Sequence, residues 1–167
     1  MTFKDAVLSG LDEYLEGLKK ALDGLTDKEL RFQASSTSNH ITWLVWHMSR
    51  VEDSWLTRVS GTESVWDTGG WAAKTGVTGD SYGRTMEEVN ALPDVPIATL
   101  LEYYDAVRGR TLGVLERMTD ADMAIGHDNP RYGTTTNAWI FGHIIVEESQ
   151  HLGQIAFIRG MQRGLGG

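Results

Sequence analysis

The sequence predicts an all-α protein, a four-helix bundle with a long crossover between its second and third helices. Four segments repeat apolar residues every three or four positions with charged residues between them, which is the pattern of an amphipathic helix. Residues 60–95 are rich in glycine and show no sustained period. A connection of that length is unusual inside a compact domain and suits a bundle crossover. The 167 residues fit one domain, 1–167.

The first helix is indicated by a stripe of apolar residues: Val7, Leu11, Leu15, Leu18, Leu22 and Leu25. Thr26 and Glu29 have the spacing of a capping box, which predicts a short helical piece directly after it. The second long helix is predicted from about Asn39 to Val59. Its apolar stripe consists of Leu44, Met48, Val51 and Trp55.

The third helix is predicted to begin at Pro96, because proline is favoured at the first helical position. Its inward residues are Leu100, Leu101, Tyr104, Val107, Val114 and Leu115. Residues 128–133 have turn chemistry and predict at most a short strand pairing near 127–135. The fourth helix is predicted from Asn137 to Arg163, before a run of glycines.

Composition excludes several classes of function. The chain has no cysteine, so a tight metal site must use His, Asp or Glu, and any thiol chemistry needs a thiol from a cosubstrate. The net charge of −8, with basic residues scattered singly, argues against nucleic-acid binding. No apolar run approaches the ~18 residues of a membrane span, and the N-terminus does not resemble a signal peptide. We expect a cytoplasmic protein without a membrane partner.

A weak internal repeat relates the two halves of the chain. The segment from Leu22 to Asp27 resembles the segment from Leu115 to Asp120, and each precedes a Trp-x-x-x-His motif. These motifs are Trp43 to His47 and Trp139 to His143, and a glutamate, Glu52 or Glu148, follows each histidine by five residues. A helix hairpin used twice would give a pseudo-twofold bundle. Chance similarity between amphipathic helices is the alternative.

The strongest chemical signal is a pair of polar residues on the apolar face of the fourth helix. Glu147 and His151 are four residues apart, so they lie one above the other on that face. Burying an unpaired carboxylate is costly, and a shared metal ion would remove the penalty. His47 on the second helix supplies a third ligand, leaving open coordination positions as catalytic sites require. The alternative is a set of core histidines, one hydrogen-bonded to Glu147.

Other residues are assigned supporting roles. His143, one turn before Glu147, is an alternative ligand, and Glu52 and Glu148 are candidates to hydrogen-bond a ligand or replace one. Trp66, Trp71, Arg131 and Tyr132, on the crossover and the second turn, are the expected walls of a substrate pocket. His40 and His127 lie at segment ends and are interpreted as surface residues.

Two motifs together resemble the DinB/YfiT-like superfamily. They are Trp43-x-x-x-His47 on the second helix and the run from Glu147 to Gln154 on the fourth, Glu-Glu-Ser-Gln-His-Leu-Gly-Gln. The resemblance covers almost the whole chain, including the helix order and the crossover. It implies up-down-down-up topology, often a dimer, and a divalent metal on three residues. By position these are His47, Glu147 and His151, with Glu147 standing where the commoner ligand is histidine.

The family's known activities are low-molecular-weight thiol-dependent transfer and a mycothiol-dependent isomerisation. By analogy we expect an enzyme in which the metal lowers the pKa of a thiol and promotes its transfer to a small-molecule electrophile. Zinc is the expected metal, with nickel, iron or manganese as alternatives, and mycothiol or bacillithiol is expected before glutathione. A homodimer is expected. The alternatives are a hydrolase using a metal-bound water and a non-catalytic binding or stress-related module on the same fold.

Overall fold

A computed structural model describes residues 2–80 and 85–164, and four long helices dominate that part of the chain. They are α1 (Phe3–Leu22), α3 (Ile41–Ser60), α7 (Ile97–Arg117) and α8 (Asn137–Arg163). The shorter helices are α2 (Asp27–Leu30), α4 (Val65–Thr68), α5 (Trp71–Thr75) and α6 (Met86–Asn90). The predicted all-α, up-down-down-up bundle with a long crossover is confirmed. Within the described ranges, no helix is both long and apolar enough to cross a membrane.

Three of the four long helices, α1, α3 and α8, begin at a side chain that accepts a hydrogen bond from an unpaired backbone N–H group. The predicted capping box at Thr26 and Glu29 is present and starts α2. Thr136 caps α8 by accepting from the N–H of Trp139. Predicted boundaries are accurate to two residues: α8 spans the predicted range, α3 starts at Ile41, and Pro96 is the residue before α7 rather than its first.

His40 corrects the interpretation of segment-end histidines as surface residues. It is only 3% exposed and caps α3, with Nδ1 accepting from the N–H of Trp43 at 3.1 Å. His127 is half-buried, and its Nε2 lies 2.6 Å from Oδ1 of Asn137. Both histidines therefore support the start of a long helix.

The bundle is held by close packing of α1 on α8 and of α3 on α7 and α8. Gly10 and Gly17 line the face of α1 that meets α8. A Cβ atom at Gly17 would lie 2.8 Å from the side chain of Leu152, so a larger residue there would require the Leu152 side chain to shift. The same helices place the polar residues of α3 opposite those of α8, which positions the site described below.

The crossover contains the three short helices α4, α5 and α6, and Trp66 and Trp71 are among the core residues that it contributes. Trp66 and Trp71 are each 6% exposed, and both rings pack on Tyr103 of α7, with centroids 5.2 and 5.3 Å away. Asp53 of α3 accepts the N–H groups of Val65 and Trp66 at the start of α4. Trp66 and Trp71 therefore belong to the core, which corrects the expectation that they wall a substrate pocket.

A small antiparallel hairpin joins α7 to α8. Its strands are β1 (Gly126–Asn129) and β2 (Gly133–Thr136), in register from Gly126 opposite Thr136 to Asn129 opposite Gly133. This is the short pairing that the sequence predicts near 127–135. The turn between the strands presents Arg131 and Tyr132 beside α3 and α8.

Candidate metal centre

His47 is held on α3 by an aromatic stack. Its ring lies against the indole of Trp43, one helical turn earlier, with centroids 4.7 Å apart and planes inclined by 12°. The residue is 8% exposed, so the imidazole is largely withdrawn from water. A stacked, buried ring has few orientations, and this one directs Nε2 toward α8.

Glu147 and His151 complete the cluster from α8. Oε1 of Glu147 lies 3.3 Å from Nε2 of His47 and 3.2 Å from Nε2 of His151. The two imidazole rings meet edge to face, 4.8 Å apart. One potential ligand atom from each residue lies within 4.8 Å of the other two. The structure thus brings together the three residues proposed from the sequence, in a cluster that could bind a metal ion.

The electrostatics of the cluster show what a cation would replace. Hydrogen bonds from His151 and His47 hold the pKa of Glu147 well below its usual range. Burial alone would lower the pKa of His151, but hydrogen bonds to Glu147 and Gln154 raise it above the ordinary value. The Glu147 carboxylate is therefore charged, and it favours the protonated form of His151. A metal ion bound here would displace those protons and take over their role.

The donor set fits a divalent metal. Two donors about 2.0 Å from a tetrahedral zinc ion lie roughly 3.3 Å apart, and the two nitrogen–oxygen separations at Glu147 are 3.2 and 3.3 Å. Two imidazole nitrogens and one carboxylate oxygen suit zinc and also nickel, iron or manganese. Three protein ligands leave coordination positions for a small molecule.

Gln154 supports the cluster, a role that was not predicted from the sequence. Its Oε1 lies 2.8 Å from Nδ1 of His151, the ring nitrogen turned away from Glu147. Ligand histidines usually donate their second N–H to such an acceptor, which fixes the tautomer. The signal was available in the sequence, because residues three apart on a helix are neighbours and Gln154 follows His151 by three.

The cluster opens into a cleft of about 810 Å³ between α3, α8 and the β1–β2 turn. Arg131 and Tyr132 of the β1–β2 turn line this cleft. Arginine side chains from α3, Arg50 and Arg58, also line the cleft and were missed. Neither belongs to the apolar stripe from which this helix is predicted.

His143 lines the cleft but is not part of the three-residue cluster. Its ring stacks on Trp139, with centroids 4.5 Å apart and planes inclined by 14°, and it meets Trp55 and Tyr132 at 5.3 and 5.4 Å. Burial in this aromatic setting lowers its pKa. The alternative ligand proposed from the sequence is thus the centre of an aromatic group.

Glu52 and Glu148 bind an arginine rather than the histidines, which corrects their predicted role. Arg108 of α7 donates to Glu52 from Nε at 3.0 Å and to Glu148 from a terminal nitrogen at 2.8 Å. Thr111 also donates to Glu52. Neither carboxylate is more than 1% exposed, and Arg108 is 5% exposed. This network, here called the Arg108 network, joins α3, α7 and α8 behind the candidate metal centre.

The fold and the site define a helical bundle with a metal-capable cluster at one side. The chain belongs to the DinB superfamily, whose family model matches residues 11–155. A solved structure with the same fold, described as a conserved protein from Enterococcus faecalis, has a TM-score of 0.86 and 19% identity. The match covers 96% of this chain and 97% of that one, and at this identity it shows the fold alone. No curated protein gives a significant match to the sequence.

Proposed function

We propose that this protein is a divalent-metal-dependent enzyme that transfers a low-molecular-weight thiol to an electrophilic small molecule. The observation that carries the proposal is the His47, Glu147 and His151 cluster, with donor atoms within 4.8 Å of one another beside a cleft of about 810 Å³. A cleft of this size matches those that bind small molecules. Three ligands from two helices are typical of metal sites that keep a position open for chemistry.

The choice of a thiol rests on the family and on the sequence. The chain has no cysteine, so the nucleophilic sulfur must enter with a cosubstrate. Zinc is the proposed metal, with nickel, iron or manganese as alternatives. When bound, such an ion supplies Lewis acidity, which lowers the pKa of a coordinated thiol or water.

The chain's own residues position the reaction. Trp43 holds the imidazole of His47 by stacking, and Gln154 holds that of His151 by a hydrogen bond. Glu147 contributes a negative charge that is kept ionised. In the transfer, the thiol sulfur loses its proton to solvent and forms a carbon–sulfur bond. The electrophile's leaving group departs with the electron pair of the bond that breaks.

The test combines metal analysis with turnover. Protein prepared without a His-rich tag is analysed for metal, reconstituted with zinc, and assayed with 1-chloro-2,4-dinitrobenzene and mycothiol, bacillithiol or glutathione. We expect 1-chloro-2,4-dinitrobenzene to release chloride only when both metal and thiol are present. Metal-dependent hydrolysis of an ester or amide without thiol would instead identify a hydrolase. A chain that binds no metal and turns over neither substrate would be a binding module.

A further inference from the structure

The cleft beside the metal-capable cluster is lined by a basic face. Arg50, Ser54 and Arg58 follow one another at four-residue intervals on α3, so they share the side that faces the cleft. Arg131 lines the same cleft from the β1–β2 turn. Among the described lining residues, only Glu147 and Asp80 are acidic. Three arginines here stand out in a chain whose net charge is −8.

Two of these arginines have no carboxylate partner among the described residues. A terminal nitrogen of Arg58 donates to the carbonyl oxygen of Asp128 at 2.7 Å. The guanidinium of Arg131 lies over the ring of Tyr132, 5.1 Å from its centroid. Within residues 2–80 and 85–164, neither makes an ion pair with an acidic side chain. Their positive charge is therefore available to the cleft.

Arg50 is the most constrained of the three. Its side chain is 21% exposed and lies over the Trp66 ring, 4.6 Å from the centroid. Its Nε is buried and has no hydrogen-bond partner among the described residues. The nearest carboxylate, Asp53, is 4.0 Å away. Asp53 is already occupied, because its two oxygens accept from two backbone N–H groups, Tyr103 and Arg110.

Arg108, which is buried deeper in the bundle, shows the contrast. Arg108 is saturated by two carboxylates and a backbone carbonyl of α1. Burying an N–H group without an acceptor is unfavourable, so a structural arginine is normally satisfied in this way. Arg50 departs from that pattern at the edge of the cleft, where the exposed fifth of its side chain is the part that a ligand can contact.

We infer that the cleft binds a ligand that carries a carboxylate, received by Arg50 close to the metal-capable cluster. Arg50 follows His47 by three residues, so the carboxylate would bind about one helical turn from the reacting atoms. Arginine suits carboxylates because its planar fork can donate two parallel hydrogen bonds. Arg58 lies roughly 12 Å further along α3 and, with Arg131, serves a second acidic group or the far end of the ligand. The inference rests on the proposed function and names the chemistry of one of its two substrates.

The binding test does not depend on catalysis. The full chain, kept metal-free with a chelator, is titrated with 3-nitrobenzoate and with its neutral counterpart 3-nitrobenzamide. Quenching of the cleft tryptophans, Trp43 and Trp55, reports binding. We expect the benzoate to bind at least about tenfold more tightly. Arg50→Gln should abolish that preference, whereas Arg117→Gln, exposed on α7 outside this cleft, should retain it.

Arg50 packs on Trp66, so replacing it can disturb the fold, and a second variant controls for that effect. Arg131→Gln lies on an exposed turn and should reduce the preference without changing the circular dichroism spectrum. Equal affinity of the two probes for the wild-type chain would overturn the inference. So would a preference that survives in both Arg50→Gln and Arg131→Gln.

Turnover then identifies which substrate carries the carboxylate. With zinc-loaded protein, 3-mercaptopropionate is compared with 3-mercaptopropionamide, and 4-chloro-3-nitrobenzoate with 4-chloro-3-nitrobenzamide. A lower KM for the charged member of the thiol pair assigns the carboxylate to the thiol, and a lower KM in the other pair assigns it to the electrophile. Equal KM values within both pairs would contradict the inference. If no pair is turned over, the proposed function fails while the binding test still decides on the carboxylate.

Discussion

The two Trp-x-x-x-His helices of this bundle share a motif but differ in what faces the histidine. In α3 and α8 alike the imidazole stacks on the tryptophan one turn earlier, at 4.7 and 4.5 Å. His47 faces Glu147 and His151, whereas His143 faces Trp55 and other aromatic rings. The stack is therefore a packing device common to both halves. Metal-binding capacity depends on the facing residues.

The two helices also differ in the residues that lie four and eight positions after the motif histidine. Glu147 and His151 follow His143 by four and eight residues, and Val51 and Trp55 follow His47 by the same intervals. His47 faces both of those positions on α8, and His143 faces Trp55 of α3. The half of the chain with α8 thus has a carboxylate and an imidazole at the positions where the half with α3 has an aliphatic side chain and an indole.

The largest predicted effect concerns the Arg108 network, which both halves share. Arg108→Leu leaves Glu52 and Glu148 buried without a counter-ion, and we expect a loss of about 3–5 kcal/mol in the free energy of unfolding at pH 7. Urea denaturation measures it, and Arg117→Leu on the exposed face of α7 should change stability by less than about 0.5 kcal/mol.

The pH dependence of that loss tests its cause. Burial and repulsion by Glu52 raise the pKa of Glu148 well above its ordinary value. A carboxyl group with a raised pKa destabilises the folded state as the pH rises, because it resists ionisation there. The deficit of Arg108→Leu should therefore shrink as the pH falls toward 5. A variant as stable as wild type at pH 7 would show that the network contributes no net stability.

The second prediction separates the two histidines. His47→Ala removes a ligand, so zinc affinity should fall by more than the ~10–100-fold loss caused by removing an outer hydrogen-bonding partner. His143→Ala and His127→Ala should keep the wild-type metal content, measured by elemental analysis after dialysis. Affinity should also fall as the pH drops through the histidine range, because protons compete for the ligands. Loss of zinc in His143→Ala with retention in Glu147→Ala would move the site one turn toward the start of α8.

The third prediction compares the two helix caps. His40 starts α3 and Thr136 starts α8, each seven residues before the motif histidine. Burial, aided by the Arg31 guanidinium, lowers the pKa of His40 to about 4, whereas an unfolded histidine titrates near 6.5. As the pH falls, His40 is therefore protonated in the unfolded chain before it is protonated in the folded chain. The stability that neutral His40 provides is complete above pH 6.5 and lost as the pH falls through 4.

His40→Thr should remove this acid sensitivity. We expect the wild-type chain to lose about 2 kcal/mol between pH 7.5 and 5 through this residue, and the variant to lack that slope. Thermal or urea denaturation at several pH values measures it, with Thr136→Ser as the matched control at the other cap. An unchanged slope in His40→Thr would place the acid sensitivity elsewhere.

The last prediction concerns building the missing half of the site. Val51→Glu with Trp55→His would give α3 the glutamate and histidine that α8 carries at the equivalent positions. We expect zinc content to rise from about one to about two ions per chain, with weaker binding at the new position because replacing Trp55 costs roughly 3 kcal/mol of core packing. A folded double variant that still binds about one ion would show that the facing residues are not sufficient.

The long helices and the three clustered residues were predictable because both depend on local periodicity. Glu147 and His151 are four apart on an otherwise apolar face, and His47 occupies the matching motif on α3. The short helices α4 to α6 were not predictable, since four or five residues carry no period. The Arg108 network was missed for a different reason. Its pairing depends on how α7 is rotated against α3 and α8, which no spacing within one helix reveals.

Arg108 also has a consequence for the history and modularity of the fold. Arg108 precedes Leu115 by seven residues, and the residue that precedes Leu22 by seven is Leu15, so the first half has no equivalent arginine. Arg108 therefore neutralises both Glu52 and Glu148, which occupy equivalent positions in the two halves. If a duplicated hairpin gave rise to this chain, the halves are no longer interchangeable. The second hairpin supplies the arginine that neutralises its own Glu148, and the first hairpin has no equivalent residue for Glu52. The buried Glu52 of the first half therefore depends on Arg108 of the second half for its counter-ion.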